Sequence, residues 1–313
     1  MLRAVPRICF AIPFHRGLDW LREAIESVRA QSVADWRAVV HDDRGEDAGA
    51  VRALVLGFAD PRIQVEANSE TLGMVGNWNR GLNAAAGELV TLLHADDRLL
   101  PDYAESMLAL AERHPGAAAL CCAARLIDAS GRPTWTLADS YKRLLVPRAE
   151  PWRLRGEAGL RALLRGDFVM CPTLCWRLPV LGARRFEAGW RQVQDLELLA
   201  RLLLDGDEIV GTHRASYAYR RHPESATARQ SEDLTRFAEE LALYDRLAAR
   251  SGERGWHRAE RVARRKAIVR LHLGVRAVAD LAALRPGAAA HKLGYLVRGS
   301  GSALAAAGSG GSR

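Results

Sequence analysis

Several common signatures are missing from this 313-residue chain. No apolar run is long enough for a signal-peptide core or a membrane span, which predicts a cytoplasmic protein. Cysteine is scarce and odd in number (Cys9, Cys121, Cys122, Cys171, Cys175), with no C-x-x-C pair. Three of the five sit inside apolar runs, so they read as reduced core thiols. Cys171 and Cys175 offer two metal ligands, but no second pair follows at zinc spacing, and the structural reading wins. There is no G-x-G-x-x-G turn after the first strand and no G-x-x-x-x-G-K-[S/T] loop. A glycine-rich phosphate cradle of either type is therefore excluded. Lysine is nearly absent, so the net charge of +8 rests on arginine. That balance suits anionic partners in general, and no aromatic-interleaved basic stripe points to nucleic acid.

What remains is an ordinary globular balance, 49% hydrophobic and 26% charged, enough for one large domain with an appendage. Residues 8–13 read as a buried strand, and 18–31 as a helix with Leu18, Leu21, Ile25 and Val28 on one face. Strands follow at 36–40, 63–66 and 89–93, with helices at 48–58 and 74–86 between them. Pro101 opens the next helix, which stops near His114-Pro115-Gly116. This alternation predicts an α/β fold built on a doubly wound, mostly parallel sheet. Beyond residue 117 the pattern loosens. Strands are expected at 117–126, 169–177 and 208–219, helices at 157–165 and 195–204, and a basic loop at 133–151. From about Ser231 the chain is Arg/Ala/Leu-rich and helical, and it ends in a Gly/Ser/Ala tail. The expected organisation is an α/β domain at 1–230, a helical extension at 231–298 and the flexible tail at 299–313.

The most informative stretch is Val90-Thr-Leu-Leu-His-Ala-Asp-Asp-Arg98, where two adjacent carboxylates leave a core strand. Open α/β sheets bind ligands outside the carboxyl ends of their strands. Adjacent carboxylates repel unless water or a cation stands between them. Taken alone, the stretch fits a polar turn as well as a site. A second strand, however, also ends in an Asp pair, Asp42-Asp43. Two pairs on one sheet edge favour a site, with one holding a base or ribose and the other Mg²⁺ or Mn²⁺.

The surrounding residues sharpen this. They are Ile12-Pro13-Phe14, Leu21-x-x-Ala24-Ile25-x-Ser27-Val28-x-x-Gln31 and His41-Asp42-Asp43, then Asn68 with Leu72-Gly73 and Asn79-Arg80-Gly81-Leu82. Gly87-Glu88 and His94-Ala95-Asp96-Asp97 complete the set. With these the chain resembles family 2 glycosyltransferases over residues 8 to about 225. The resemblance implies a GT-A fold, a Rossmann-like three-layer α/β/α arrangement with a C-terminal helical segment added. It implies a nucleoside-diphosphate sugar donor, a UDP-sugar ahead of a dTDP- or GDP-sugar, bound by 1–115. Residues 116–230 would then take a glycan, polysaccharide or lipid-linked acceptor. By the same resemblance Asp42 and Asp43 contact base and ribose, while Asp96 and Asp97 contact ribose and the diphosphate-bound Mn²⁺ or Mg²⁺. Pro13, Phe14, His15, Asn68, Gly73, Asn79, Arg80, His94 and Ala95 complete the nucleotide-sugar pocket.

The resemblance also implies an inverting transfer with an Asp general base early in a second-half helix. The matching segment is Gln192-Val-Gln194-Asp195-Leu-Glu197, which makes Asp195 the base and Glu197 the runner-up. An Asp near a helix start is otherwise a common cap. Arg220-Arg221-His222-Pro-Glu-Ser225 matches an R-x-H-x-x-S element that would offer Arg221 or His222 to the leaving diphosphate, with His222 a third metal ligand. A solvated basic turn is the alternative. Trp190 is either an acceptor platform or a packing residue. Two departures stand out: His94 replaces a frequent Asp, and His15 a frequent Asn. Gln194, where a Glu is usual, keeps open a nucleotide-sugar-binding scaffold without strong catalysis. A nucleotidyltransferase should carry a glycine-rich basic loop near its start, and Pro13 to Gly17 is not one. Finally, the basic helical run Arg261–Arg270 reads either as a helix packed on the catalytic domain or as a membrane-surface helix. The second reading adds a peripheral contact at the inner membrane face.

Overall fold

The structure is a computed structural model, describing residues 6–45, 48–223, 225 and 234–298. The N-terminal alternation runs β1 (Ile8–Phe14), α1 (Leu18–Arg29), β2 (Trp36–Asp42), α2 (Ala48–Gly57), β3 (Ile63–Ala67), α3 (Gly73–Ala84) and β4 (Leu89–Leu92). Then follow β5 (Arg98–Leu99), α4 (Tyr103–Arg113), β6 (Ala117–Ile127), α5 (Leu137–Leu145), β7 (Trp152–Arg155) and α6 (Gly156–Leu164). The second half continues with β8 (Leu174–Arg177), α7 (Leu178–Leu181), α8 (Gln194–Asp205) and β9 (Glu208–Arg220). Four helices close the chain: α9 (Thr235–Glu253), α10 (His257–Arg265), α11 (Ala267–Ala282) and α12 (Pro286–Arg298).

One sheet carries all nine strands in the order β3-β2-β1-β4-β8-β6-β9-β5, with β7 on β9. The four strands β3, β2, β1 and β4 are parallel, as the alternation predicts. β8 lies antiparallel to both β4 and β6, and β6 and β9 are parallel. The chain divides into two compact units. The first (1–154, 168–188, 206–221) holds the sheet, with a core that includes Phe10, Ile12, Leu21, Ile25, Tyr103 and Tyr217. The second (155–167, 189–205, 222–313) is helical among the described residues and buries Leu160, Leu163, Leu199, Leu203, Phe237 and Leu241. There the Tyr244 hydroxyl donates to the Leu164 carbonyl at 2.9 Å. No helix among the described residues is long and apolar enough to cross a membrane.

Close packing explains Gly81: a Cβ there would sit 2.9 Å from Ala11 Cβ and 3.2 Å from Leu92 Cδ2. Its absence lets α3 press onto β1 and β4. All five cysteines are free thiols. Burial pushes Cys122 and Cys175 up to about 12, so both are held as thiols.

Four local expectations need correction. The strand expected at 169–177 is confined to Leu174–Arg177, because Cys171–Thr173 forms a 3-10 turn around Pro172. The loop expected at 133–151 contains α5, capped by the Thr136 side chain, which accepts from Asp139 N. The helix after Pro101 begins only at Tyr103. The basic run 261–270 is not one helix: Lys266 adopts φ 49° between α10 and α11. The tail at 299–313 lies outside the described residues.

Candidate active site

The first carboxylate pair ends β2. Asp43 N donates to the Phe14 carbonyl at 2.9 Å, tying the pair to the end of β1. The Asp43 carboxylate accepts from Asn68 Nδ2 (2.8 Å), Leu72 N (2.7 Å) and Gly73 N (2.9 Å). It therefore satisfies backbone donors at the start of α3, where the helix dipole also favours an anion. Asn68 Nδ2 donates in addition to Asn77 Oδ1 (3.0 Å), and Asn77 Nδ2 to the His41 carbonyl (2.9 Å). Asp42 accepts from Arg44 N at 3.0 Å. The result is a buried polar wall made from the turns after β1, β2 and β3. Pro13 and Phe14 end β1 beside it, and His15 follows on the surface. Arg80 pairs with Glu66 at 3.1 Å. Asn79 faces elsewhere, exchanging two hydrogen bonds with the Phe186 backbone (2.9 and 3.0 Å).

The second pair follows β4. Asp97 is fully buried, and accepts from Tyr217 Oη at 2.9 Å and Arg220 N at 2.7 Å. Burial, and then the charge of Asp96, push its carboxyl well above the usual range against the pull of those donors. Asp96 is the more exposed of the two. The buried Arg220 guanidinium donates to the Asp96 carbonyl (2.6 Å) and the Ala129 carbonyl (3.0 Å), and pairs with Glu23. One side chain thus fixes the turn that presents Asp96.

His94 stacks on Trp78 with ring centroids 5.1 Å apart. Burial lowers its pKa, with Asp96 opposing, which favours a neutral imidazole. Its Nε2 is buried with no hydrogen-bond partner among the described residues. One ligand atom from each of His94, Asp96 and Asp97 falls within 4.8 Å of the others. Two carboxylates, a neutral imidazole and an orphaned ring nitrogen fit a hard divalent cation, which would also relieve the repulsion at Asp97.

Arg221 is held aside from this cluster, pairing with Asp139 of α5 at 2.6 Å. His222 begins a segment of the second unit. So does the stretch carrying Asp195. Asp195 stands at the start of α8, where its carboxylate accepts from Leu196 N at 2.9 Å. Glu197 is buried and bound to Arg201 (2.9 and 3.1 Å). The turn before α8 is held by Glu239, which accepts from Arg191 N and Gln192 N at 2.8 to 3.0 Å. Gln194 is buried, and its Oε1 has no partner among the described residues.

Sequence reasoning missed Arg220, Tyr217 and Glu239. Arg220 was in view as the first Arg of the R-x-H run, but only the fold shows that it turns inward. Tyr217 and Glu239 carry no local mark of their partners.

Residues 9–178 match the model of a family described as glycosyl transferase family 2. Among curated proteins, the chain is 28% identical over 217 residues to the succinoglycan biosynthesis protein ExoO of Rhizobium meliloti, covering 69% of this chain and 61% of that protein. It is 34% identical over 97 residues to the GalNAc(5)-diNAcBac-PP-undecaprenol beta-1,3-glucosyltransferase of Campylobacter jejuni, covering 31% of each. The chain thus spans less than two thirds of these relatives' lengths. Among solved structures, S. aureus TarS 1–349 in complex with UDP-GlcNAc aligns with TM-score 0.60 at 15% identity, covering 78% of this chain and 66% of that one. The mannosyltransferase PcManGT of Pyrobaculum calidifontis, with GDP-Man and Mn²⁺, aligns with TM-score 0.58 at 14% identity, covering 98% and 80%. The fold they share with this chain is GT-A.

Proposed function

The chain belongs to glycosyl transferase family 2, and we propose that it transfers a sugar from a nucleoside-diphosphate sugar to a hydroxyl acceptor with inversion. The observation that carries this reading is the convergence of His94, Asp96 and Asp97 beyond β4, beside the polar wall built by Asp42, Asp43 and Asn68. Asp42 and the wall around it receive base and ribose, with Pro13, Phe14, His15, Gly73 and Arg80 at the margin. A UDP-sugar is the first donor to test, since one neighbour of this fold binds UDP-GlcNAc; another holds GDP-Man with Mn²⁺. Asp96, with His94 and Asp97, would hold Mn²⁺ or Mg²⁺, which would supply positive charge beside the diphosphate leaving group. Asp97 holds the Asp96 turn against β9 through Tyr217 and the Arg220 backbone. Arg221 and His222 are the groups to stabilise the departing diphosphate.

Asp195 accepts the proton of the acceptor hydroxyl as that oxygen attacks the anomeric carbon. Glu197 is the weaker candidate because both its oxygens already bind Arg201. Residues 1–115 are the donor half and 116–230 the acceptor half, with 231–298 an extension. The acceptor is a glycan or a lipid-linked sugar, the class named for the Campylobacter relative. A peripheral membrane contact fits α11, where Leu271, Val275, Val278 and Leu281 are exposed at helical spacing beside Arg270.

The test is a thermal-shift series of nucleoside diphosphates and their sugars, with and without Mn²⁺, followed by turnover of Asp195→Asn. Metal-dependent stabilisation by at least one nucleoside diphosphate is expected. Asp195→Asn should keep that binding and lose turnover by about 10³-fold or more. No metal-dependent stabilisation by any of them ends the reading.

A further inference from the structure

Within the first unit, α5, β6 and β9 line a cavity of about 360 Å³, a volume that holds small ligands. Its strand walls are small: Cys121, Ala123, Ala124 and Ala215. The space follows from a bulge. Cys121 pairs with Gly211 but Ala123 pairs with Ala215, so Thr212, His213 and Arg214 stand against Cys122 alone. Glu150 holds the bulge open, accepting from Thr212 Oγ1 (2.5 Å) and His213 N (2.8 Å).

Two further observations point to an occupant. Trp152 lines the cavity and is buried, yet its indole Nε1 has no hydrogen-bond partner among the described residues. That nitrogen is itself covered by protein, so toward the cavity the indole offers an apolar wall. The ring is seated tightly, since a Cβ on Gly211 would overlap it at 2.0 Å. The second observation is charge. Arg125, Lys142 and Arg143 line the same cavity, and no carboxylate among the described residues pairs with them. The one acidic lining residue, Asp139, is already bound to Arg221 at 2.6 Å.

We propose that this cavity binds an anionic amphiphile, an aliphatic chain ending in phosphate. The chain lies on the wall of Cys121, Ala123 and Ala124. It also packs on the Trp152 ring, and the phosphate answers Arg125, Lys142 and Arg143. As a site for the acceptor this rests on the glycosyl-transfer reading; as a binding site it stands alone.

The experiment is calorimetric titration of the full chain with decyl phosphate below its micelle concentration, with decanol and inorganic phosphate as controls. Decyl phosphate is expected to bind at least tenfold more tightly than either control. Ala123→Leu, which fills the cavity, and the double variant Lys142→Glu/Arg143→Glu should each weaken it tenfold or more. Stabilisation by nucleoside diphosphate, measured on the same samples without decyl phosphate, reports that each variant is folded and tests the donor reading separately. Equal binding of decanol, or decyl phosphate binding that Ala123→Leu leaves intact in a folded variant, overturns the proposal. So does the absence of decyl phosphate binding at millimolar concentration.

Discussion

The two carboxylate pairs look alike in sequence and are used differently. Asp43 takes three donors from a loop only 25 to 30 residues away, all neutral N–H groups. Asp97 takes one hydroxyl and one N–H from a strand 120 and 123 residues away, and still stands in the field of Asp96. The first pair is internally satisfied and makes a wall. The second is left electrostatically unbalanced, the condition in which a cation is welcome. In both pairs the second Asp is tied by several hydrogen bonds into the scaffold, and it is Asp96 that is left more exposed.

That contrast can be broken by mutation. The largest effect is expected for Asp96→Asn, with turnover down about 10³-fold, or about 4 kcal/mol in barrier. Its melting temperature should stay within about 2 °C, since Asp96 is not the buried member. A stability loss as large as that of an Asp97 variant would erase the distinction between the two. Next comes Arg220→Met, which strips the buried guanidinium from Glu23 and three carbonyls. Urea unfolding should register a loss of about 3 kcal/mol, with metal-dependent nucleotide binding weakened as the Asp96 turn relaxes. A loss below about 1 kcal/mol would mean the clamp is decorative.

Asp43→Ala should lower stability by about 2 kcal/mol, because Asn68, Leu72 N and Gly73 N lose their acceptor. Here the nucleotide-induced thermal shift should vanish with or without Mn²⁺, unlike the metal-selective loss at the second pair. The effect smallest at neutral pH belongs to His41, which burial depresses to about 4 from an ordinary 6.5. The unfolded chain binds that proton first, so the stability present above pH 6.5 is lost as pH falls toward 4. The slope is on the order of 1 kcal/mol per pH unit. In His41→Asn, denaturant melts between pH 7 and 4 should flatten by that amount, and an unchanged slope would refute the assignment.

The parallel half of the fold was legible because its signals are local. Apolar runs of four to seven residues alternate with helical periodicity, and each Asp pair lies at or within a few residues of a strand end. Where the signal is long-range or concealed, reading stops. Tyr217 looks like any strand aromatic until β9 is laid against β5 and β6. β5 has two residues, too few for any period. α5 is hidden among prolines, although Thr136 and Asp139 already spelled its cap. The break at Lys266 uses a left-handed conformation on a residue that seldom adopts it, so no glycine announced it. The candidate metal cluster was half legible: Asp96 and Asp97 stood out, while His94 looked like a substitution until its ring was found stacked on Trp78.

Arg220 also sets a clock. It reaches Ala129, Asp96 and Glu23, which lie 91, 124 and 197 residues before it in the chain. Synthesis delivers the chain N-terminus first, at roughly 5 to 20 residues per second. Asp97 therefore leaves the ribosome roughly 6 to 24 seconds before Tyr217 and the Arg220 backbone arrive to receive it. During that interval the residues of the parallel strands β1 to β4 are all present, while the turn bearing Asp96 lacks its bonds to β9. The nascent protein can build the wall around Asp43 early, but the turn that carries Asp96 is finished last.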